Sequence, residues 1–230
     1  MERLILIETS TALCSVALAE NGAIVAYRES SALKAHASLT AVFIQEVLQE
    51  KGITLDDCDA VCVSKGPGSY TGLRVGVSTA KGLCFGSRKP LIAVGTLDTL
   101  VAQAQMPDQA GNDGPRFIVP MIDARRMEVY TAIFENGIQT TETAPMIINE
   151  NSFADILEQG PVLFIGDGAG KCADVIKHPN AHFCQCNPVA SAMLTPAVEA
   201  LKEKRFEDVA YFEPFYLKEF VATVSKKKMW

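Results

Sequence analysis

Two carboxylates at the ends of apolar runs are the first residues whose chemistry could support catalysis. Glu8 closes the run LILIE, and Asp123 closes the run IVPMID. If the two acids face each other, they could hold a magnesium ion or position a water molecule. The alternative is that each carboxylate accepts hydrogen bonds from backbone N–H groups at the end of its own strand. The residue types alone leave both interpretations open.

The second chemical candidate is the glycine-rich segment KGPGSYTGLRVG at residues 65–76. A glycine turn that enters a helix often holds a phosphate. Here Thr71 stands where a P-loop, counted from Gly66, or a dinucleotide fingerprint would need another glycine. On a helix that begins near Thr71, small residues recur every four positions and form one stripe: Gly72, Gly76, Ala80 and Cys84. Close packing against another backbone is the favoured interpretation, with phosphate contact as the alternative.

A third candidate is the segment HPNAHFCQC, which contains two histidines and two cysteines: His178, His182, Cys184 and Cys186. These residue types suit zinc, but zinc sites usually join ligand pairs from separate parts of a chain. Cysteines and histidines in a segment that enters a strand are more often packed side chains. We therefore predict no metal site. No Gly-x-Ser-x-Gly elbow or His-Glu-x-x-His motif is present either.

The elements that carry these residues occur twice in the chain. In each copy an apolar strand ends in an acid, and an alternating strand then runs into Glu-Asn-Gly, at 20–22 and at 135–137. Asn-Gly between alternating apolar runs predicts a β-hairpin. A helical segment follows in each copy, and then a buried strand that opens into glycines, at 60–68 and at 162–170. The repeat predicts two similar α/β lobes.

The repeat also sets the domain boundaries. The first lobe covers about 1–105, the second copy of the repeat covers about 116–190, and MPDQAGNDGP at 106–115 has the composition of a linker. The C-terminal lobe with its remainder covers 116–230, and the last helix, about 194–206, is a candidate to pack back on the first lobe.

A duplicated α/β lobe with an acid at each hairpin base resembles the actin-like superfamily (ASKHA, sugar kinase/Hsp70 ATPase-type, with RNase H-like lobes). That resemblance implies a nucleotide cleft between the lobes, with these candidates: Glu8, Asp123, Gly166 and Gly168. Active members commonly carry Asp-Gly-Thr or Asp-Gly-Ser near the phosphates, whereas no glycine directly follows either acid here. We expect no bound cofactor or metal, while weak binding of an adenine nucleotide between the lobes stays open.

Composition limits the classes of function. The chain of 230 residues is 48% apolar and 21% charged, which suits a globular protein. A net charge of −6 disfavours strong, unaided binding to nucleic acid. No apolar run approaches the length of a membrane span. Seven scattered cysteines, with no signal peptide apparent at the N-terminus, predict reduced thiols and a cytoplasmic protein.

The chain contains five further motifs: GPGSYTGLRVGVSTAKGL at 66–83, IETST at 7–11, DARRMEVY at 123–130, GDGAG at 166–170 and PFYLK at 214–218. Together they resemble the motifs of the TsaB family, also called YeaZ. The resemblance implies an accessory protein of tRNA threonylcarbamoyladenosine synthesis, paralogous to TsaD. TsaD transfers the threonylcarbamoyl group to the adenosine beside the tRNA anticodon. The implied partners are TsaD in a heterodimer, TsaE through that pair, tRNA only through the complex, and a second copy when the chain is alone.

The same resemblance implies a chain without catalytic activity. The positions of the metal-binding His-x-x-x-His pair of TsaD hold Thr96 and Leu100 here, and leucine has no lone pair to offer a metal. The Cys-Asp-Glu that follows IETS in TsaD is replaced by Thr11, Ala12 and Leu13. Two alternatives stay open: an ATP-hydrolysing or kinase-like enzyme that uses Glu8 and Asp123, and, less favoured, a glycoprotease-type peptidase.

The family resemblance also implies where the partner binds. In TsaB and TsaD the first-lobe helices pair across the subunit boundary as a four-helix bundle, and they correspond here to about 36–50 and 71–86. The predicted interface residues are Leu39, Phe43, Val47, Gly72, Gly76 and Ala80. On this hypothesis, Gly76→Leu abolishes the TsaD complex and leaves the fold largely intact. The segment with Arg125, Arg126 and Glu128 could serve either folding or partner contact.

Overall fold

A computed structural model describes residues 1–32, 36–106 and 115–218. It shows an α/β fold with two β-sheets, each with both parallel and antiparallel strand pairs. The predicted linker lies almost entirely outside these residues. None of the helices that they form is long and apolar enough to cross a membrane.

The first sheet has five strands in the order β3-β2-β1-β4-β5. Their bounds are β1 Arg3–Glu8, β2 Cys14–Glu20, β3 Ala23–Ser30, β4 Ala60–Gly66 and β5 Leu91–Gly95. β2 pairs antiparallel with β1 and β3, and β4 pairs parallel with β1 and β5. Asn21 and Gly22 form the β2–β3 turn with φ values of 51° and 78°, as the Asn-Gly signal predicts.

Helices cover both faces of this sheet, which explains why β1 and β4 read as nearly continuous apolar runs. The first three helices are α1 His36–Glu50, α2 Tyr70–Ser87 and α3 Thr96–Ala104. The apolar sides of α1 and α2 pack on one face of the sheet, where Val47 and Val77 meet Ile5 and Ile7. The side chain of Ser69 caps α2 by accepting a hydrogen bond from the Gly72 backbone N–H at 3.3 Å.

The second sheet repeats the strand order of the first. Its strands are β6 Phe117–Asp123, β7 Glu128–Thr131, β8 Phe134–Glu135, β9 Ile138–Gln139, β10 Ala144–Ile147, β11 Val162–Gly166 and β12 Ala181–Gln185. The order β10-β7-β6-β11-β12 has the same alternation of antiparallel and parallel pairs as the first sheet. Here the strand corresponding to β2 is split into β7 and β8, and the predicted Asn136-Gly137 turn joins β8 to β9. The duplicated fold is therefore the predicted actin-like one.

The remaining helices are short: α4 Ala154–Leu157, α5 Ala169–Cys172 and α6 Leu194–Lys202. Ala197 and Ala200 of α6 pack with Leu4 and Ile92 on the second face of the first sheet. After α6, residues 203–218 form a segment that we call the C-terminal strap. Its Glu207 N–H donates to the Leu91 carbonyl at 2.8 Å, and its Lys218 forms an ion pair with Glu128 of the second lobe.

Helix α3 joins the two lobes. It directly follows β5 of the first sheet, and its Leu97 and Leu100 pack with Ile118 and Ile165 of the second. Both lobes therefore share a continuous apolar contact along this helix.

Candidate functional site

The glycines at the entry to α2 hold this helix against the end of β1. A Cβ atom added to Gly72 or Gly76 would lie less than 3.0 Å from the Thr9 carbonyl or hydroxyl oxygen, and one added to Gly68 would collide with Ser10. The Ser69 N–H donates to the Ser10 carbonyl at 2.6 Å, and the Thr9 hydroxyl donates to the Gly72 carbonyl at 2.9 Å. The close-packing interpretation describes this stripe, and the backbone that approaches it belongs to the same chain.

Most of the predicted interface residues are buried within the chain itself and are not available on its surface. Phe43, Val47 and Ala80 are buried in the core, and Gly72 and Gly76 are buried against Thr9. Only Leu39 is partly exposed. The apolar face of each helix is already occupied by its own sheet, as in most amphipathic helices. A side chain at Gly76 would overlap the Thr9 hydroxyl, so Gly76→Leu is now expected to destabilise the fold as well.

The solvent faces of α1 and α2 carry a different set of residues. Phe85 on α2 is 83% exposed and Val42 on α1 is 42% exposed. Small exposed residues accompany them: Ala41, Ser78 and Gly82. We call this set the outer α1–α2 face. The sequence signal that could have indicated this face is Phe85, an apolar residue of α2 that lies outside the stripe of buried residues of that helix.

Glu8 is fully buried and caps backbone at the end of β1. Its Oε1 accepts a hydrogen bond from the Ser10 N–H at 2.7 Å. Its Oε2 and the hydroxyls of Ser10 and Thr11 have no hydrogen-bond partner among the residues that the structure describes. Burial raises the pKa of the Glu8 carboxyl to about 7, and the hydrogen bond from the Ser10 N–H opposes the rise. Because the Glu8 carboxyl is fully buried, a cation in solvent cannot contact it.

Asp123 is engaged by a lysine and by the backbone. Its Oδ1 accepts hydrogen bonds from Lys171 Nζ at 2.5 Å and from the Arg125 N–H at 2.7 Å. Lys171 Nζ also donates to the carbonyls of Arg126 and Glu128, each at 2.7 Å. A carboxylate already neutralised by an ammonium group is a poor ligand for magnesium. The capping interpretation therefore describes Asp123 as well as Glu8.

The two predicted cleft glycines lie beside Asp123. The Gly168 N–H donates to the Met121 carbonyl at 3.0 Å, and a Cβ atom on Gly166 would collide with the same carbonyl. Asp167 between them accepts a hydrogen bond from the Asp123 N–H at 2.9 Å, and burial raises the pKa of Asp167 to about 6. Among the described residues, no hydrogen bond or ion pair joins this cluster to Glu8.

A cavity of about 510 Å³ lies between the first lobe, the second lobe and the C-terminal strap. Its charged lining consists of Lys65 and three carboxyl groups: Asp98, Glu142 and Glu207. A nucleotide phosphate would meet a wall with more negative than positive charge there. This lining gives no support to nucleotide binding between the lobes.

The remaining predicted positions serve packing. The hydroxyls of Thr96 and Ser64 lie 2.9 Å apart, and Leu100 is buried in the apolar contact between the lobes. Cys184 and Cys186 pack against that contact, and His178 Nδ1 accepts from the Asn180 N–H at 3.2 Å. Within the described ranges, no group of three or more His, Cys, Asp or Glu side chains has the arrangement to hold a metal ion.

Glu8→Gln is expected to change how stability depends on pH. The raised pKa means that the folded wild-type chain binds a proton which the unfolded chain releases above about pH 4.5. Wild type should therefore lose stability relative to the variant as the pH rises from about 4.5, with the loss complete above about pH 7. The difference should reach about 3 kcal/mol at most. Urea denaturation of both proteins at pH 5 and pH 8 measures it, and a difference that does not change with pH would contradict the buried, strained state of Glu8.

Comparison with known proteins places the chain in a family. The family model described as "TsaD: tRNA N6-adenosine threonylcarbamoyltransferase" matches residues 28–226. The Escherichia coli protein named "tRNA threonylcarbamoyladenosine biosynthesis protein TsaB" is 31% identical over 228 residues, which are 96% of either chain. The Bacillus subtilis protein of the same name is 30% identical over 164 residues, or 70% of this chain and 69% of that protein.

Solved structures agree with the sequence comparison. "YeaZ from Pseudomonas aeruginosa" is 26% identical with a TM-score of 0.78, and the match covers 94% of this chain and all of that one. A second structure, of a P. aeruginosa protein described as similar to peptidase YEAZ, has a TM-score of 0.83 at 26% identity and covers 95% of this chain and 100% of that one. The duplicated actin-like topology, the motifs around Glu8, Gly72 and Asp123 and these matches agree: the chain belongs to the TsaB (YeaZ) family.

Proposed function

We propose that this chain is an accessory subunit in the synthesis of threonylcarbamoyladenosine in tRNA and that it acts by binding TsaD. The observation that carries the proposal is the match along 96% of the chain to a protein named for this pathway. TsaD performs the transfer, TsaE joins through the pair, and tRNA reaches the chain only within the complex. The chain works in the cytoplasm without a cofactor of its own.

The state of the two strand-end acids supports a role without catalysis. Lys171 neutralises Asp123, while Glu8 is buried and carries a raised pKa. An ATP-hydrolysing enzyme would need these carboxylates free to coordinate magnesium. A peptidase would need a nucleophile paired with a base or a metal centre, and the described residues show no group of metal-binding side chains.

The outer α1–α2 face is the surface that we assign to TsaD. Phe85 and Val42 offer apolar area, and the small exposed residues on the same two helices would let another helix pair approach closely. The two outer faces would then meet as a four-helix bundle. The same face would join two copies of the chain when TsaD is absent.

Gel filtration with light scattering tests this assignment. The chain alone should elute as a homodimer, and addition of TsaD from the same organism should convert it to a one-to-one heterodimer. Persistence of the homodimer beside free TsaD would overturn the proposal. Magnesium-dependent ATP hydrolysis by the pure chain, lost in Glu8→Ala, would favour the kinase-like enzyme in its place.

A further inference from the structure

Two consecutive arginines hold an unusual backbone conformation in the turn between β6 and β7. Arg125 and Arg126 have φ values of 71° and 51°, in the left-handed region that a Cβ atom disfavours. Two other hairpin turns of the chain, at 21–22 and 136–137, place Asn and Gly at their left-handed positions. Turn geometry alone therefore does not explain why arginines stand here.

Helix capping does not explain them either. Arg88 and Lys204 also have left-handed φ values, of 57° and 54°. Arg88 directly follows the end of α2, however, and Lys204 lies two residues after the end of α6. A cation is favoured there because the C-terminus of a helix carries partial negative charge. Arg125 and Arg126 lie between two strands and cap no helix.

The turn is held in place by contacts to its backbone. Asp123 accepts from the Arg125 N–H, and Lys171 Nζ, whose side chain is only 23% exposed, donates to the Arg126 carbonyl and to Asp123. Ala124 and Glu128 close the loop with an N–H to carbonyl bond of 3.0 Å. These contacts use no guanidinium group, and both arginine residues are exposed.

The charged groups around the turn carry one more positive than negative charge, since Arg125, Arg126 and two lysines stand against three carboxylates. Lys171 is paired with Asp123, and Lys218 is paired with Glu128. The Asp167 carboxyl accepts from a backbone N–H. Within residues 1–32, 36–106 and 115–218, neither Arg125 nor Arg126 forms an ion pair or a side-chain hydrogen bond. The turn is thus a local cationic site on a chain of net charge −6.

We propose that Arg125 and Arg126 contact phosphates of the tRNA backbone when the chain is bound to TsaD, an inference that rests on the proposed function. A guanidinium fork matches phosphate oxygens in shape and charge. The neighbours of the turn are charged, whereas the core of a protein–protein interface is depleted of charged residues. Two cations contribute too little to bind RNA to an acidic chain alone, so the contact acts within the complex.

The double variant Arg125→Asn, Arg126→Gly tests the contact. It gives the turn the residue types that the two other hairpins use, so the fold should be at least as stable as wild type. Filter binding of tRNA to the assembled complex from 50 to 200 mM salt provides the readout. We expect about tenfold weaker binding, and a slope of log affinity against log salt that is smaller by about 1.5. Arg125→Lys, Arg126→Lys should keep most of the slope because it keeps both charges.

Lys204→Gly is the matched control, because it removes one exposed cation from a left-handed position elsewhere; its RNA affinity should equal that of wild type. Unchanged affinity and slope in the Asn-Gly variant would overturn the inference and leave the proposed function standing. Loss of TsaD binding by that variant would also overturn it, because the turn would then contact protein. If wild-type chain does not bind TsaD at all, the proposed function fails first and the inference falls with it.

Discussion

Phe85→Asp is expected to weaken the complex with TsaD strongly while the free chain stays folded. The Phe85 side chain is 83% exposed and belongs to no core cluster, so its replacement should lower the free energy of unfolding by no more than about 1 kcal/mol, chiefly because a carboxylate is unfavourable in the last turn of α2. In the complex the new carboxylate would be buried against apolar groups without a partner. An aromatic contact near the centre of an interface is commonly worth 2 kcal/mol or more, so affinity should fall at least about 30-fold. Isothermal titration calorimetry measures the affinity, and thermal unfolding of the free chain verifies the fold.

Ile138→Asp is the matched control for that substitution. Ile138 is an apolar residue that is 71% exposed on the β8–β9 hairpin of the second lobe, away from α1 and α2. This variant should bind TsaD with wild-type affinity. If Phe85→Asp also binds with wild-type affinity, the outer α1–α2 face is not the contact surface.

The second large effect is expected from Gly72→Ala, which should destabilise the fold by about 3 kcal/mol. The added methyl group would lie less than 3.0 Å from the Thr9 carbonyl oxygen. That oxygen belongs to backbone directly after β1, and Gly72 is in the first turn of α2, so relief requires the helix to move from the sheet. The Ser69–Ser10 and Thr9–Gly72 hydrogen bonds, which hold the two elements together, would be strained in the same step.

Gly82→Ala on the same helix is the control for Gly72→Ala. In the described part of the chain, no atom beyond the neighbouring residues and the backbone of α2 itself lies within 4 Å of a Cβ atom built on Gly82, and the residue is exposed. Alanine in an exposed helix interior should raise stability by about 0.5 to 1 kcal/mol relative to glycine. Urea denaturation separates the two outcomes, and equal stabilities for the two variants would contradict the tight contact between α2 and Thr9.

Most of the fold could be predicted because its signals are local. Asn-Gly pairs mark the turns at 21–22 and 136–137, and the helical segment predicted after the first hairpin is present as α1. The order of the second sheet follows once the repeat is recognised. No comparable signal in the sequence predicts the break at residues 132–133, which divides one strand of the second lobe into β7 and β8. Helix α6 ends at Lys202, earlier than the predicted end near residue 206.

The partners of individual side chains could not be predicted, since they are set by contacts between distant segments. A stripe of small residues on α2 indicates close packing, but it does not say whether the neighbour is Thr9 or another subunit. The Lys171–Asp123 pair joins residues 48 positions apart. In the sequence, only the glycine turn before Lys171 indicated a site near this pair. Nothing in an Arg-Arg dipeptide predicts a left-handed turn.

Reconstituted tRNA modification tests the accessory role. TsaD and TsaE from the same organism are incubated with ATP, synthetic threonylcarbamoyl-adenylate and tRNA, with and without this chain, and modified adenosine is measured by mass spectrometry of the digested tRNA. We predict that modification appears only when the chain is added and that the chain alone produces none. Equal modification in its absence would contradict the accessory role.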